Sequence, residues 1–362
     1  MSREGVGRTI SRGAGRLLQV QQAGLALVII ALGVALALFS GSHIDAVSGR
    51  EVNNFLNTNT LVQTATDASF FAIMAAGATL VIISAGIDLS VGSVFALAGV
   101  TMAMALRAWG LEGPGTVAIG MALCLGTGLA CGLVNGALVV GLRVHPFIVT
   151  LGTMWVFRGI AFVGSRAQSI LVPDALTDAV KAPLGLGETI APIPMLAMVA
   201  VALAGWVLLS RLVLGRHVYA VGGNVEAARY AGLRVGRVLV AVYAIAGLTA
   251  GIAAFLGVSY YGSASCADAT GYELYVIASA VVGGASLAGG RGSVVGATLG
   301  AILITLIRQS IRTLHFDQNY EWIIIGCAII VAVVLDQAGS RLAARRMAQA
   351  ASENSADQEG PQ

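Results

Sequence analysis

The chain has 362 residues, of which 57% are hydrophobic and only 11% are charged. A soluble globular domain usually carries about 25% charged residues, so this composition excludes an ordinary soluble protein and favours membrane-spanning helices. The formal net charge is only +3, so we expect no nucleic-acid partner, and the 47 glycines fit helices that approach each other closely in a bilayer.

The N-terminus resembles a secretory signal, because four arginines precede an apolar run from Ala23 to Phe39. A cleaved signal has an apolar core of only about 7–15 residues, whereas this run is longer and many more follow it. We therefore interpret it as an uncleaved first span. The predicted organisation is a cytoplasmic arm over 1–20, a membrane domain over 21–338, and a polar, disordered cytoplasmic tail over 339–362.

Ten apolar segments are long enough to cross a hydrocarbon core about 30 Å thick, which needs roughly 20 helical residues. The eighth and ninth are glycine-rich, and together they could form a shorter or re-entrant pair. The polar stretch 53–66 is predicted to lie outside the membrane or at its surface. The predicted fold class is therefore all-α, a polytopic transmembrane helical bundle with spans near 22–40, 67–86, 90–109, 116–140, 146–164, 192–210, 238–258, 271–288, 293–311 and 320–336.

The placement of basic residues tests this count of spans. With the N-terminus inside, 14 of the 21 arginines and lysines fall in cytoplasmic segments and 6 in outside segments, while Arg158 falls within the fifth span. This bias agrees with the positive-inside rule. It predicts that both termini are cytoplasmic, and that inserting or deleting one span would degrade the pattern.

The stretch SAGIDLSVGS predicts a tight helical hairpin between the second and third spans, at the cytoplasmic face. Gly86 is expected to end one helix in a left-handed conformation, and Asp88 or Ser90 to cap the next. The hairpin is either a capped turn without another role, or a hinge or partner contact. A weaker copy over Gly289–Leu303 suggests an internal duplication. The hairpin residues of interest are Gly86, Asp88, Ser90 and Gly92.

Mid-membrane ionisable residues are few, which argues against an ion-coupled carrier, because such carriers keep buried charges for use. Arg158 is the plainest of them, and it could serve a pathway or an inter-helix ion pair, or it could snorkel to the outer interface. The candidate pathway residues, which the sequence does not rank, are Asn135, Phe147, Thr150, Arg158 and Glu273.

Several enzyme classes are excluded because the sequence lacks their characteristic motifs. The one lysine, Lys181, lies in DAVKAP, which is not the phosphate-binding loop of an ATPase, and neither HExxH nor GxSxG occurs. Scattered histidines and four cysteines without a CxxC pattern give no reason to expect a metal site or a cofactor. Any dependence on ATP must therefore come from a partner protein.

The segment Arg211–Arg237 is the largest predicted cytoplasmic loop, with five arginines and one glutamate. Its Gly-Gly-Asn sequence predicts a turn, and Asn224 or a neighbour is expected to cap a helix beginning near Val225. A helix this short is not stable through its length alone. We interpret it as an element that docks on a partner; the alternative is a solvated loop helix.

The chain resembles the membrane permeases of bacterial ATP-binding cassette (ABC) sugar importers of the ribose/xylose/arabinose/galactofuranose type. Four ordered segments carry this resemblance, which extends over about residues 20–336: GIDLSVGSVFALAGV, HPFIVTLGTMWVFRGIA, AVGGNVEAARYAGLRV and GYELYVIASAVVGGASLAGGRGSVVGA. The branched-chain amino acid permeases are more distant relatives of this type.

The resemblance implies an inner-membrane transport subunit for a pentose or hexose, paired with an identical or related permease and surrounded by membrane lipid. It also implies two ATPase domains at the cytoplasmic face and a periplasmic sugar-binding protein. Our own hypothesis is that Asp88 closes its hairpin near the face that contacts the ATPase. A permease for a nucleoside, autoinducer or amino acid is the alternative, and an ion-coupled carrier a more distant one. The EAA-xxx-G pattern of the coupling helix assigns the ATPase-coupling loop to Gly222, Gly223, Asn224, Glu226, Ala227, Ala228 and Gly232, although the longer consensus of other importer classes is not clear beyond the glycine.

Overall fold

The computed structural model describes residues 22–44, 49–113, 115–185 and 190–324, together with 326, 327, 330, 331 and 334. Eight helices among these residues are long and apolar enough to cross a membrane. The predicted all-α polytopic class is confirmed. The predicted arm 1–20 and tail 339–362 lie outside the described residues.

Eight long helices, four short helices, the beginning of a further helix at 320–324 and two small antiparallel sheets make up the described fold. The long helices are α1 (Gln22–Phe39), α2 (Thr58–Ile83), α3 (Val91–Trp109), α4 (Gly115–Leu142), α5 (Pro146–Ser165), α7 (Ile193–Arg211), α10 (Val235–Tyr261) and α12 (Val294–Thr313). The short ones are α6 (Asp174–Lys181), α8 (Val213–Gly223), α9 (Val225–Tyr230) and α11 (Tyr272–Val282). Strand β1 (Ser42–Ile44) pairs with β2 (Glu51–Asn53), and β3 (Ile170–Leu171) pairs with β4 (Ser263–Ala264).

Three predicted segments differ from the structure. The second span begins at Thr58, because the Asn57 side chain caps α2 by accepting the Thr60 N–H at 2.8 Å, so the second half of the stretch 53–66 is helical. The eighth predicted span contains only the 11-residue α11, about 16 Å long, whereas the ninth is the 20-residue α12, so only one member of the expected pair is short. The tenth begins as helix at 320–324 and then lies partly outside the described residues.

Helix α2 forms the centre of the bundle. All of its residues from Thr66 to Ile83 are buried, and it is contacted by α7, α10, α11 and α12. A helix that is apolar all round must be covered on every side, which explains this central position. Helix α1 is the opposite case, since most of its apolar side chains are exposed and available to lipid.

Two pairs of helices pack backbone against backbone through glycines. On α4, a Cβ added to Gly136 would lie 2.7 Å from the Val240 Cα, and one added to Gly247 of α10 would lie 2.8 Å from the Gly132 Cα. On α12, the four-residue spacing of Gly296 and Gly300 predicts close helix packing, and this is confirmed, because added Cβ atoms there would overlap carbonyl oxygens of α11 and its C-terminal turn. Small residues permit such contacts between membrane helices.

The segments 84–90, 143–146, 211–237 and 284–293 meet at one end of the bundle, which we call the arginine end. The Gly290 N–H donates to the Ile83 carbonyl at 2.8 Å, and Ser84, Val144 and Val235 line one cavity. These are the segments that the charge distribution predicts to be cytoplasmic. At the opposite end, the Tyr261 hydroxyl donates to Asp67 at 2.7 Å.

Candidate functional site

The short helix α9 stands at the arginine end with both of its ends closed by its own residues. The Asn224 side chain accepts the Ala227 N–H at 2.9 Å, so the predicted cap is confirmed. Gly232 has φ +81°, and its N–H donates to the Arg229 carbonyl at 2.9 Å. A left-handed glycine is the usual way to end a helix. The helix is therefore well defined despite having only six residues.

The outer face of α9 is highly exposed, and Ala228 is the buried residue that fixes it to the bundle. Glu226 and Arg229 form an ion pair at 3.0 Å with side chains 65% and 61% exposed. Tyr230 is 89% exposed, and the sequence reasoning missed it. Tyrosine is among the residue types that are enriched at protein interfaces. The signal in the sequence was a tyrosine ending a helix otherwise made of small and charged residues.

Gly222 attaches this region to the rest of the arginine end. A Cβ at Gly222 would overlap the Ile83 carbonyl oxygen and lie 2.8 Å from the Gly290 amide nitrogen, whereas one at Gly223 would meet nothing within 4 Å. Nearby, the Tyr219 hydroxyl donates to the Gly292 carbonyl at 2.8 Å, and burial raises the pKa of Tyr219, which keeps that donor protonated. The end of α8 is thus packed against the end of α2 and the glycine-rich turn that holds Gly290 and Gly292.

The hairpin between α2 and α3 differs from its prediction at Gly86. Ala85, with φ +62°, takes the left-handed conformation that was expected of Gly86. The Gly86 N–H donates to the Val81 carbonyl at 2.9 Å, and an added Cβ would lie 2.8 Å from the Tyr243 hydroxyl oxygen. The glycine is therefore required by the space beside Tyr243 and not by its backbone conformation.

Asp88 is buried, with 3% exposure, and its carboxylate accepts the Ser90 N–H at 2.8 Å and the Ser90 hydroxyl at 2.6 Å. The expected capping is therefore only partly correct, because Asp88 forms a turn ahead of α3 and the Ser90 side chain makes no cap. The Asn135 amide donates to the Ser90 hydroxyl at 2.7 Å, and the Thr150 hydroxyl donates to the Ile87 carbonyl at 3.1 Å. Asn135 and Thr150, two of the candidate pathway residues, thus hydrogen-bond to the hairpin.

A second non-helical segment, 262–271, runs into the bundle. Helix α10 ends at Tyr261 at the opposite end, and α11 is about half as long as the hydrocarbon core is thick, so 262–271 must cover the remaining depth. Such backbone needs hydrogen-bond partners inside the protein. Arg158 supplies them, donating to the carbonyls of Cys266 at 2.8 Å and Asp268 at 2.6 Å. Arg158 therefore binds backbone carbonyls inside the protein and does not snorkel to the outer interface, and among the described residues it has no carboxylate within 4.0 Å.

Gly92 joins the two irregular segments. A Cβ there would overlap the Ala269 carbonyl oxygen and lie 2.7 Å from the Glu273 Oε2. Glu273 Oε2 and Asn135 Oδ1 are both buried without a hydrogen-bond partner among the described residues. We call the hairpin 84–90, the segment 262–271 and Gly92 between them the double break. Four of the five candidate pathway residues lie at it: Asn135, Thr150, Arg158 and Glu273. Phe147 stands apart, 41% exposed on α5.

The fold and these two sites define a polytopic membrane permease in which the non-helical segment 262–271 enters the bundle and meets the arginine-end hairpin at Gly92. Residues 60–333 match the family described as the permease component of the branched-chain amino acid transport system, and the chain belongs to this family. It is accordingly a multi-pass protein of the bacterial inner membrane.

Three relatives illustrate the breadth of the similarity. The ribose import permease protein RbsC of Escherichia coli (strain K12) is 38% identical over 78% of this chain and 87% of its own length. The fructose import permease protein FrcC of Rhizobium meliloti is 34% identical, with coverages of 86% and 83%. The autoinducer 2 import system permease protein LsrD of Yersinia enterocolitica is 33% identical, with coverages of 79% and 86%. No solved structure gives a significant match to the chain.

Proposed function

We propose that the chain is the permease subunit of a binding-protein-dependent ABC importer and that it forms the pathway for a monosaccharide, a pentose or a hexose. The observation that carries this proposal is α9, a capped, exposed helix that directly follows α8, whose Gly222 packs against the end of α2 and the turn at Gly290. In this proposal 21–338 is the permease domain, a separate ATPase docks on α9, and a second permease copy and a periplasmic binding protein complete the importer. The permease hydrolyses no ATP itself.

The double break is proposed as the part of the pathway that the substrate passes. Discontinuous helices with unwound backbone at mid-membrane are where many transporters bind their substrates. A neutral sugar needs hydrogen-bonding partners, and among the described residues Asn135 Oδ1 and Glu273 Oε2 are buried acceptors without one. ATP-driven transport also removes the need for a buried ion-coupling carboxylate pair.

A second candidate substrate class is autoinducer 2 or a similar small polar solute. The observation that favours it is the 33% identity to an autoinducer 2 permease, close to the 34% identity to a fructose permease. Uptake of labelled ribose, fructose and autoinducer 2 into cells that carry the complete importer separates the classes. An ion-coupled carrier would instead lose uptake when the ion gradient is collapsed while ATP is maintained.

The experiment that tests the ATPase proposal is affinity purification of the tagged chain from its native membrane, followed by mass spectrometry. The wild-type chain should retain a protein that contains a phosphate-binding loop. Glu226→Arg and Tyr230→Ala should each reduce its retention by about 30-fold if these residues are hot spots of the interface, since losing a hot spot costs about 2 kcal/mol or more.

The matched control is Tyr320→Ala, which removes another exposed tyrosine, 53% exposed, beyond the far end of α12. It should leave ATPase retention unchanged. Recovery of the chain without any ATPase, or equal retention by all three variants, would contradict docking on α9.

A further inference from the structure

One cavity at the arginine end lies beside α9 and has no role in the function proposed above. Its volume is about 1050 Å³, at the upper limit of the range of about 300–1,000 Å³ for small-molecule sites. The cavity lies between the end of α4, the helix α9 and the beginning of α10. It therefore faces both the membrane helices and the surface that the charge distribution predicts to be cytoplasmic.

The lining of this cavity has two distinct parts. Four exposed arginines, Arg143, Arg229, Arg234 and Arg237, provide the basic part, and aliphatic side chains such as Val139 and Leu239 provide the apolar part. The described lining contains no aspartate or glutamate. A ligand that fits must therefore carry negative charge at one end and hydrocarbon at the other.

The arginines are not neutralised from within the protein. Arg229 pairs with Glu226 at 3.0 Å, but Arg143, Arg234 and Arg237 have no carboxylate within 4.0 Å among the described residues. Arg143 also has φ +56°, in the left-handed region that favours glycine. This position directly after α4 thus keeps an arginine where a glycine would be less strained.

We infer that this cavity binds the headgroup of an anionic phospholipid, with its phosphate among the arginines and its acyl chains along the aliphatic wall. Guanidinium groups bind phosphate oxygens in a bidentate manner, and basic pockets between membrane helices on the cytoplasmic side are suited to such headgroups. The lipid would contact α4, α9 and α10 together. This inference does not depend on the identity of the transported substrate.

The test is native mass spectrometry of the purified full-length chain after delipidation, with phosphatidylglycerol or phosphatidylcholine added back. Wild type should bind phosphatidylglycerol in preference to phosphatidylcholine. The double variant Arg143→Gln/Arg237→Gln should bind phosphatidylglycerol about 30-fold more weakly, roughly fivefold for each arginine removed. Binding should also weaken as ionic strength rises, since the arginines are exposed.

The charge-matched control is Arg211→Gln/Arg216→Gln, which removes two exposed arginines of the same segment that do not line the cavity. It should bind as wild type does. A third variant, Val144→Trp, keeps every arginine but fills part of the apolar wall, so it should also lose phosphatidylglycerol. It preserves the test if the double arginine variant does not fold.

Four results would overturn the inference. The first is an equal loss of phosphatidylglycerol in the two double variants, and the second is equal binding of the two lipids by wild type. The third is displacement of bound phosphatidylglycerol by inorganic phosphate at a concentration below that of the lipid. The fourth is that Arg143→Gln/Arg237→Gln loses the ATPase but still binds the lipid. The third result would indicate a phosphate site, and the fourth would assign the cavity to the ATPase.

Discussion

Gly222 and Gly223 are adjacent in sequence but lie in opposite surroundings, so they provide a sharp test of how α8 is attached. A methyl group at Gly222 would overlap the Ile83 carbonyl oxygen and lie 2.8 Å from the Gly290 amide nitrogen. The substitution Gly222→Ala must therefore push apart the end of α8, the end of α2 and the turn at Gly290. A methyl group at Gly223 would meet nothing within 4 Å.

The expected magnitude follows from these contacts. Overpacking typically costs about 1–3 kcal/mol. Losing the hydrogen bond from the Gly290 N–H to the Ile83 carbonyl adds roughly 1 kcal/mol, for a total of about 2–4 kcal/mol. Gly223→Ala should instead stabilise α8 by about 0.5–1 kcal/mol, because alanine is the better helix former.

The assay is thermal unfolding of the two purified variants, followed by size-exclusion chromatography with fluorescence detection. At roughly 2 °C per kcal/mol, Gly222→Ala should lower the melting temperature by about 4–8 °C, and Gly223→Ala should leave it unchanged or raise it slightly. Uptake in cells should fall only for Gly222→Ala. Equal melting temperatures would refute the reasoning, because they would mean that the close contact at Gly222 does not exist.

Two further substitutions test the double break. Asp88→Ala should cost about 1–3 kcal/mol for each of the two Ser90 donors that it leaves buried without a partner, measured by thermal unfolding, whereas Asp88→Asn retains one acceptor and should cost less. If Asp88→Ala also leaves uptake unchanged, the hairpin is only a turn. Arg158→Lys should loosen 262–271, because an ammonium group cannot replace the guanidinium fork, and Ala267→Cys should then react faster with a maleimide. An unchanged rate of labelling would contradict the idea that Arg158 holds 262–271 in place.

Local chemistry explains what the sequence predicted well. The Asn224 cap and the left-handed Gly232 act within one or two helical turns, so α9 could be placed from its own residues. The long apolar runs likewise defined the helical class. Glycines spaced four apart on α12 indicated close packing, and the same spacing at Gly128, Gly132 and Gly136 on α4 carried an equal signal that was overlooked.

Contacts between distant segments explain what could not be predicted. Arg158 lies more than 100 residues from the carbonyls that it binds, so its role depends on how α5 meets 262–271. Gly86 is a glycine because of Tyr243, and Gly222 because of Ile83, both remote in sequence. The left-handed Ala85 goes against the preference of its residue type, and only the surrounding packing accounts for it.

Helix α10 has a mechanical consequence that follows from its length and its glycine contacts. Its 27 residues extend about 40 Å, from just after α9 to the hydrogen bond between Tyr261 and Asp67 at the other end. Because α4 packs backbone against backbone on α10, the two helices move as one rigid unit. A 5° tilt imposed beside α9 would displace the far end by about 3.5 Å, more than the length of that 2.7 Å hydrogen bond.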